Sequence, residues 1–243
     1  MWNIRRFAET DSTNDDAAAL LGQPEHAGDV LVAGMQRRGR GRHDRTWIAR
    51  AGTSLLCTTI LPAPVATRAL WAVTLWAGLA VADAIDSVTD VPVRLQWPND
   101  VLQGGAKCAG ILCVSRVAGA HAYVGCGTGI NVRRPGDDAA FASVHPAPAF
   151  LSDARADVTC DAMLHALLDA YAVRLAMLDD PDAIARAWET RATLDGTPYR
   201  LLLDGSSEPI DAIARGIGND GSLVVETAGV RREIALADAR VMR

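Results

Sequence analysis

The sequence has no hydrophobic run long enough to cross a membrane as a helix. Its longest apolar stretch, residues 69–82, is shorter than the roughly 20 residues that a spanning helix needs, and Asp83 and Asp86 follow it. The first six residues lack the apolar segment of a secretory signal. We therefore expect a buried core helix at residues 69–82, no membrane partner and a cytoplasmic protein.

Cysteine and histidine are also scarce, with five of each in 243 residues. No two cysteines have C-x-x-C spacing, and no histidines have the spacing of a metal site. The number of cysteines is odd and most lie in apolar segments, which is typical of small buried residues in a reducing compartment. No structural zinc site is expected.

Positive charge is in the minority as well, because the net charge is -5 and the pI about 5.5. Aromatic residues make up 5% of the chain and do not alternate with basic ones, which disfavours nucleic-acid binding. With 49% hydrophobic and 22% charged residues, the composition is that of an ordinary globular protein. The length allows one large domain, or a medium domain with a small one.

Against this acidic background, residues 36–47 form a basic segment that is interrupted by glycines. It contains five arginines in twelve residues. Glycine lets a backbone approach a ligand closely, and each guanidinium is a planar charged group that suits carboxylate or phosphate. The segment therefore predicts an anion-binding loop.

The rest of the first 194 residues alternates between strand and helix patterns. A helix is predicted to start at Thr13, and a long helix is predicted at residues 67–88. Further helices are predicted near residues 160–178 and 181–194. Strands are predicted at residues 29–33, 54–60, 93–96, 110–115 and 123–132, the last two joined by a hairpin loop at residues 118–121.

After residue 195 the pattern changes to short strand-like runs separated by turns. The runs are residues 199–203, 210–216, 222–227 and 231–236, with Asp204-Gly205 and Asn219-Asp220-Gly221 as turn signals. Such a pattern predicts a small β-barrel. The fold class is therefore α+β, with a mixed β-sheet packed with helices over residues 1–194 and a small barrel over residues 195–243.

Three more polar clusters accompany the arginine loop. The segment from Asp11 to Asn14 by itself favours a simple helix cap. The corner at residues 97–100, Trp-Pro-Asn-Asp, is suited to aiming its two polar side chains into a site. Lys107 precedes an apolar strand that contains Gly110, and residues 125–131 form a glycine-rich strand end that is neither a Rossmann motif nor a P-loop.

In their order and spacing these clusters resemble the motifs of biotin protein ligases, that is, biotin–[acetyl-CoA-carboxylase] ligases. The family carries an S-T-N segment, a Q-x-x-G-R-G-R-x-G-R-x-W loop, a K-W-P-N-D corner, a K-x-x-G-I-L strand and a G-x-G-x-N strand. They fall here at residues 12–14, 36–47, 96–100, 107–112 and 127–131. The resemblance covers nearly the whole chain. It implies the class II aminoacyl-tRNA synthetase-like biotin/lipoate ligase fold, with an SH3-like C-terminal domain.

The resemblance also implies an activity: biotin reacts with ATP and Mg²⁺ to give biotinyl-5′-AMP, and the biotin then passes to a lysine of a biotin carboxyl carrier domain. Catalytic roles are implied for Lys107, Arg40 and Arg42. Biotin contacts are implied for Ser12, Thr13, Gln36, Gly39, Arg40, Lys107 and Gly110. Nucleotide contacts are implied for Arg42, Arg45, Trp47, Asn99, Asp100 and Asn131. Asp100 is the candidate magnesium ligand, and either a monomer or a homodimer is expected.

Three residues depart from the family pattern. Asp44 replaces a glycine of the arginine loop, Gln96 replaces the lysine of K-W-P-N-D, and Val114 stands where many members have glutamate. These departures leave open a relative that binds biotin without adenylating it. A lipoate or octanoate ligase or transferase of the same fold is a second alternative, in which Cys108 could act as a thiol nucleophile.

A DNA-binding repressor is a third alternative. Members with that function carry a helix-turn-helix domain of some sixty residues before the ligase part. Here the ligase-like part begins by about Ile4. We therefore expect a short form without an N-terminal DNA-binding domain, and no DNA partner.

Overall fold

The architecture is a mixed sheet covered by helices, followed by a second, smaller sheet. The computed structural model describes residues 2–43, 45–137, 141, 144, 146–236 and 239–242. Its strands and helices are β1 (Asn3–Phe7), α1 (Thr13–Leu20), β2 (Asp29–Ala33), β3 (Ser54–Ile60), β4 (Val65–Ala66), α2 (Ala72–Thr89), β5 (Arg94–Gln96), β6 (Asp100–Gln103), β7 (Ala106–Ala118), β8 (His121–Asn131), α3 (Cys160–Arg174), α4 (Pro181–Ala192), β9 (Pro198–Leu203), β10 (Ile210–Ile217), β11 (Leu223–Thr227), β12 (Val230–Ile234) and β13 (Ala239–Met242).

The first sheet has the strand order β1-β2-β3-β8-β7-β6-β5, with β4 paired to β8. Only β1 and β2 are parallel; the other pairs are antiparallel. β7 and β8 form the predicted hairpin, whose turn contains Gly119 at φ +60°. Both strands are longer than predicted because cross-strand pairing continues up to the hairpin turn, through the pairs Val117–Ala122 and Ala118–His121.

Helix α2 forms the middle of the core, as predicted for the longest apolar stretch. It packs against α3, α4 and the sheet, and Trp76 is fully buried and stacked on Tyr171 with ring centroids 4.8 Å apart. By length and composition α2 could cross a membrane, but 72% of it is buried inside the protein. The prediction of a core helix is confirmed.

The second sheet is antiparallel with the order β12-β11-β10-β9-β13. Its strand content agrees with the predicted SH3-like domain, but the described strands do not close into a barrel, because β12 and β13 are the two edges. Buried residues of this sheet, such as Leu201 and Val225, belong to the same hydrophobic cluster as Trp76. The predicted domain boundary at residue 195 stays a prediction.

The sequence patterns missed four strands and misplaced one helix start. β1, β4, β6 and β13 were not predicted, since β1 carries two arginines, β4 has only two residues and β6 starts inside the polar corner. Helix α2 begins at Ala72, after a 3₁₀ turn over Thr67–Ala69, instead of at residue 67. The missed segments form strands because they pair with strands elsewhere in the chain, and such pairing is a long-range property that local patterns do not show.

The stacked pair in the core gives a first prediction. Trp76→Ala should lower the free energy of unfolding by about 3–5 kcal/mol, because it removes a fully buried indole and leaves a cavity. Val173→Ala, at a position that is 84% exposed on α3, is the matched control and should change little. Denaturant unfolding of both variants checks this; equal midpoints for the two would contradict it.

Candidate active site

A cavity of about 480 Å³ opens on one face of the first sheet, beside the start of α1. It collects residues from all the clusters that the sequence singled out. The predicted site residues that line it are Ser12, Thr13, Gln36, Arg40, Arg42, Arg45, Trp47, Asn99, Asp100, Lys107, Gly110 and Asn131. Gly39, predicted as a biotin contact, does not line the cavity.

The start of α1 presents its polar side chains to the cavity and does not use them as a helix cap. Ser12 is the N-cap residue but its side chain makes no capping hydrogen bond. The Thr13 backbone N–H and hydroxyl both donate to Oε1 of Gln36, at 2.7 and 3.0 Å. The interpretation as a simple cap is therefore wrong: α1 and the arginine loop are joined here by a shared hydrogen-bond acceptor.

Asn14, which was not among the predicted site residues, connects α1 to the sheet. Its Nδ2 donates to the carbonyl of Leu112 at 3.0 Å, and its Oδ1 accepts from the Thr58 hydroxyl at 2.8 Å. A side chain at Gly127 would place a Cβ only 2.1 Å from this Oδ1. The first glycine of the G-x-G-x-N motif is therefore required for helix α1 to approach the sheet.

The next glycine of that motif and Gly110 together form a bare patch on the sheet. Gly110 and Gly129 are cross-strand partners in β7 and β8. The indole of Trp47 lies over them, since an added Cβ would be 2.6 Å from the ring at Gly129 and 3.1 Å at Gly110. Two motifs that are distant in sequence thus form one surface on which the Trp47 ring packs.

The first half of the arginine loop is anchored by carboxylates just before α1 and in its first turn. Asp11 accepts from Arg37 Nε at 2.7 Å and also bonds Arg38. Arg40 pairs with Asp15 at 3.0 Å. The positive charge is thus neutralised from the start of α1; Asp44, the expected internal carboxylate, lies outside the described residues.

The second half of the loop folds back on itself. The Trp47 N–H donates to the Gly39 carbonyl at 2.9 Å, and the Gly41 N–H donates to the Arg45 carbonyl at 2.6 Å. A Cβ at Gly39 would lie 2.7 Å from the Trp47 carbonyl oxygen. Gly39 therefore allows the loop to return close to itself, and this turn brings Trp47 to the cavity.

Arg42 reaches out of the loop to the connection between β12 and β13. Its guanidinium donates to the backbone carbonyl of Leu236, and burial lowers the pKa of this guanidinium. Arginine stays charged even when its pKa is lowered. The arrangement places a half-buried positive charge where the two sheets meet.

Lys107 is the strongest candidate for a charge at the reaction centre. Its Nζ lies 2.5 Å from Oδ1 of Asp100 and 5.3 Å from the centre of the Trp47 ring, and its side chain is 30% exposed. The register places Asp100 opposite Gly110, so the bare patch leaves room for the lysine. Lys107 is also the only lysine in the chain, a signal in the sequence that motif analysis did not use.

Two amides in the cavity differ in what they offer to a ligand. Asn99 uses Nδ2 to donate to the Ile111 carbonyl at 2.7 Å. Asn131 is buried, and its Nδ2 donates to the carbonyl of Ala149 at 3.2 Å, while its Oδ1 has no hydrogen-bond partner among the described residues. A backbone carbonyl can only accept, which fixes the orientation of Asn131. Its oxygen can therefore accept from a ligand N–H or O–H but cannot bind a phosphate oxygen.

Three other predicted positions have structural surroundings. Cys108 is fully buried outside the cavity, and burial raises the pKa of its thiol to about 12, which disfavours a nucleophilic role. Val114 packs with the small apolar cluster under α1. Gln96 ends β5 and is the cross-strand partner of Asp100.

The anchoring of the loop gives a second prediction. Hydrogen bonds from Arg38 and Arg37 hold the pKa of Asp11 below its usual value, so the anchor is present above that usual value and is lost as the pH falls through the lowered one. Asp11→Asn should remove this anchor at neutral pH and increase trypsin cleavage after residues 37–40. Asp157→Asn, which removes an exposed partner of Arg155, is the control. Equal cleavage in both variants would show that Asp11 does not restrain the loop.

Comparison with known proteins adds a family match and several relatives. Residues 7–131 match the model of the biotin/lipoate A/B protein ligase family. The chain is 30% identical over 243 residues to a biotin–[acetyl-CoA-carboxylase] ligase of Mycobacterium tuberculosis, which covers 97% of this chain and 88% of the relative. It is 32% identical over 239 residues to the ligase of the same name from Paracoccus denitrificans, covering 96% and 98% of the two chains.

Among solved structures, the fold is similar to that of a biotin protein ligase from Aquifex aeolicus in complex with biotin and ATP. The TM-score is 0.79 over the whole of both chains, at 23% sequence identity. At this identity the likeness concerns the fold. It confirms the predicted fold class of a mixed sheet packed with helices and a small C-terminal β domain.

Proposed function

The chain belongs to the biotin/lipoate A/B protein ligase family, and from this premise we propose that it is an ATP-dependent biotin protein ligase. Relatives with that name match nearly its full length. The observation that carries the proposal is the single cavity, which unites the start of α1, the arginine loop, the corner at residues 97–100 and the Lys107 strand. These are the elements whose order resembles the ligase motifs.

In the first half-reaction a biotin carboxylate oxygen attacks the α-phosphorus of ATP, and the bond to pyrophosphate breaks. Both reactants are anions, so positive charge must offset their repulsion and stabilise the charge that develops on the phosphoryl oxygens. Lys107 and the arginines of the loop supply this charge. Without ligand, Arg40 forms an exposed ion pair with Asp15. An anionic ligand can replace Asp15 in this pair at a small free-energy cost of about 0–1 kcal/mol.

In this proposal biotin binds at the start of α1. Gln36 Oε1 already accepts from Thr13, and Ser12 and Thr13 are buried polar residues at the cavity wall. Such preformed polar groups can recognise a ureido ring by hydrogen bonds. The indole of Trp47, which covers Gly110 and Gly129, gives an apolar surface for the remainder of the ligand.

In this proposal the nucleotide binds at Asn131 and at the C-terminal half of the arginine loop. Asn131 Oδ1 is oriented to accept from a base amine or a ribose hydroxyl. Arg42 and Arg45 also line the cavity, where their guanidinium groups can meet the phosphates. The sequence interpretation of Asn131, which included phosphate as a partner, stays a prediction.

Magnesium fits this site as an ion bound mainly by the nucleotide. The described residues contain no group of three or more His, Cys, Asp or Glu side chains that could hold a metal. Asp100, with its side chain 16% exposed at the cavity, provides one carboxylate beside Lys107. Mg²⁺ commonly takes one or two carboxylates and completes its shell with phosphates and water. Bound in this way, it would share the negative charge of the triphosphate.

In the second half-reaction the amine of a carrier lysine attacks the acyl carbon of the adenylate. Its proton is released and AMP leaves. A biotin carboxyl carrier domain is the acceptor that this chemistry requires, and the cytoplasm is the proposed location. Support for a reducing compartment comes from the five cysteines, all of which are unpaired.

The decisive experiment measures ATP–pyrophosphate exchange with biotin or lipoate, followed by the intact mass of a carrier domain. We expect exchange and a mass increase with biotin only, and dependence on Mg²⁺. Exchange with lipoate alone would establish the lipoate ligase alternative. Binding of biotin without exchange would establish a relative that does not adenylate.

Lys107 gives a third prediction. Lys107→Ala should lower kcat of adenylation by about 10²–10³-fold, the loss typical of one preorganised electrostatic donor. Arg116→Ala, which removes a cation from the same strand outside the cavity, is the control. Adenylate formation by Lys107→Ala at the wild-type rate would contradict the role of the lysine.

Asn131 gives a fourth prediction. Asn131→Ala should raise KM for ATP by roughly tenfold, the value of a lost hydrogen bond of about 1–1.5 kcal/mol, and leave KM for biotin unchanged. Ser54→Ala is the matched control, because Ser54 is the buried cross-strand partner of Asn131 but does not line the cavity. A rise in KM for biotin alone would place Asn131 at the other end of the site.

A further inference from the structure

The corner that carries Asp100 is held from behind by the second sheet. Trp97, the first residue of the corner, is fully buried. Its backbone N–H donates to the Tyr199 hydroxyl at 3.1 Å, and its indole N–H donates to the Gly221 carbonyl at 3.1 Å. Both acceptors therefore belong to the C-terminal sheet and its turns.

These acceptors are themselves rigidly placed. Tyr199 lies in β9 and is 5% exposed. Gly221 adopts φ +84° in a tight turn, where an added Cβ would be 3.0 Å from the ring of Trp71. A buried N–H that loses its acceptor is costly, so the position of the Trp97 backbone depends on the hydroxyl of Tyr199.

The residues that follow Trp97 in the corner connect its backbone to the cavity. Asn99 forms two hydrogen bonds with the backbone of Ile111. Its Nδ2 donates to the Ile111 carbonyl, and its own carbonyl accepts from the Ile111 N–H at 2.9 Å. Asp100 follows, and it holds Lys107 Nζ at 2.5 Å. A shift of Trp97 is therefore expected to move the Asp100–Lys107 pair.

We propose that Tyr199 is a positioning residue for adenylation, whose hydroxyl fixes the Trp97 backbone and through it the Asp100–Lys107 pair. The C-terminal sheet thereby takes part in the first half-reaction without touching the reactants through Tyr199. Independently of this, Val241 and Met242 of β13 line the cavity, and the cavity residue Arg42 donates to the Leu236 carbonyl in the β12–β13 connection. The inference rests on the proposed biotin ligase function.

The test compares Tyr199→Phe with Tyr171→Phe in ATP–pyrophosphate exchange. Each variant loses one buried hydroxyl, but that of Tyr171 faces Thr128 in the core behind the sheet. Tyr199→Phe should lower kcat on the order of tenfold, since small misplacements of a catalytic group have effects of this size or larger. KM for biotin should not change, because the contacts at the start of α1 are separate from the corner. Tyr171→Phe should lower Tm and leave kcat unchanged.

A double variant shows whether the effect passes through the lysine. In a Lys107→Ala background, Tyr199→Phe should have little further effect, because the group that it positions is already gone. A full additional loss in that background would overturn the proposal, as would a wild-type kcat for Tyr199→Phe. Thermal unfolding of each variant is the control for whether it is folded at the assay temperature.

The outcomes separate this inference from the function on which it rests. If the wild-type protein shows no biotin-dependent exchange, the proposed function fails. If the wild type is active and Tyr199→Phe is equally active, only the positioning role fails.

Discussion

The pairing of Gly110 with Gly129 is the constraint on which the site depends. These residues face each other across β7 and β8, and their missing side chains leave a bare patch on the sheet. The patch admits the Trp47 ring and leaves Lys107 room to reach Asp100. Any side chain there would push the indole away, so the position of the arginine loop follows from two glycines in the middle of the sheet.

A second constraint is that the arginines of the loop need negatively charged partners when no ligand is bound. A loop with five arginines in an acidic protein needs counter-charges, and it finds them in Asp11 and Asp15 at the start of α1. The pairs are exposed, so they are weak and exchangeable. Lys107 differs, since it is paired in a partly buried place and is the chain's only lysine. The compact ammonium of Lys107 fits beside Asp100 and the glycine patch, whereas the arginines that line the cavity belong to the loop.

The two sheets are joined by more than apolar packing. Hydrophobic residues of both belong to one continuous cluster. Polar contacts reach the C-terminal part of the chain from the corner at Trp97, from the arginine loop at Arg42 and from helix α4 at Glu189, whose Oε1 accepts from the Ile217 N–H. Two of these contacts adjoin the cavity. The C-terminal sheet is therefore part of the framework around the cavity, in addition to its own strand pairing.

The sequence alone determined the fold class, the strands β2 and β3 to the residue, the core helix and the clusters that form the site. Local signals suffice for these, because apolar periodicity and motif spacing are properties of neighbouring residues. Tertiary structure alone decided that the start of α1 binds Gln36 instead of capping its helix, and that Asn131 directs its Nδ2 to the Ala149 carbonyl. It also decided that the Trp97 corner rests on Tyr199. Each of these depends on hydrogen bonds between residues far apart in the chain, whose partners no local pattern specifies.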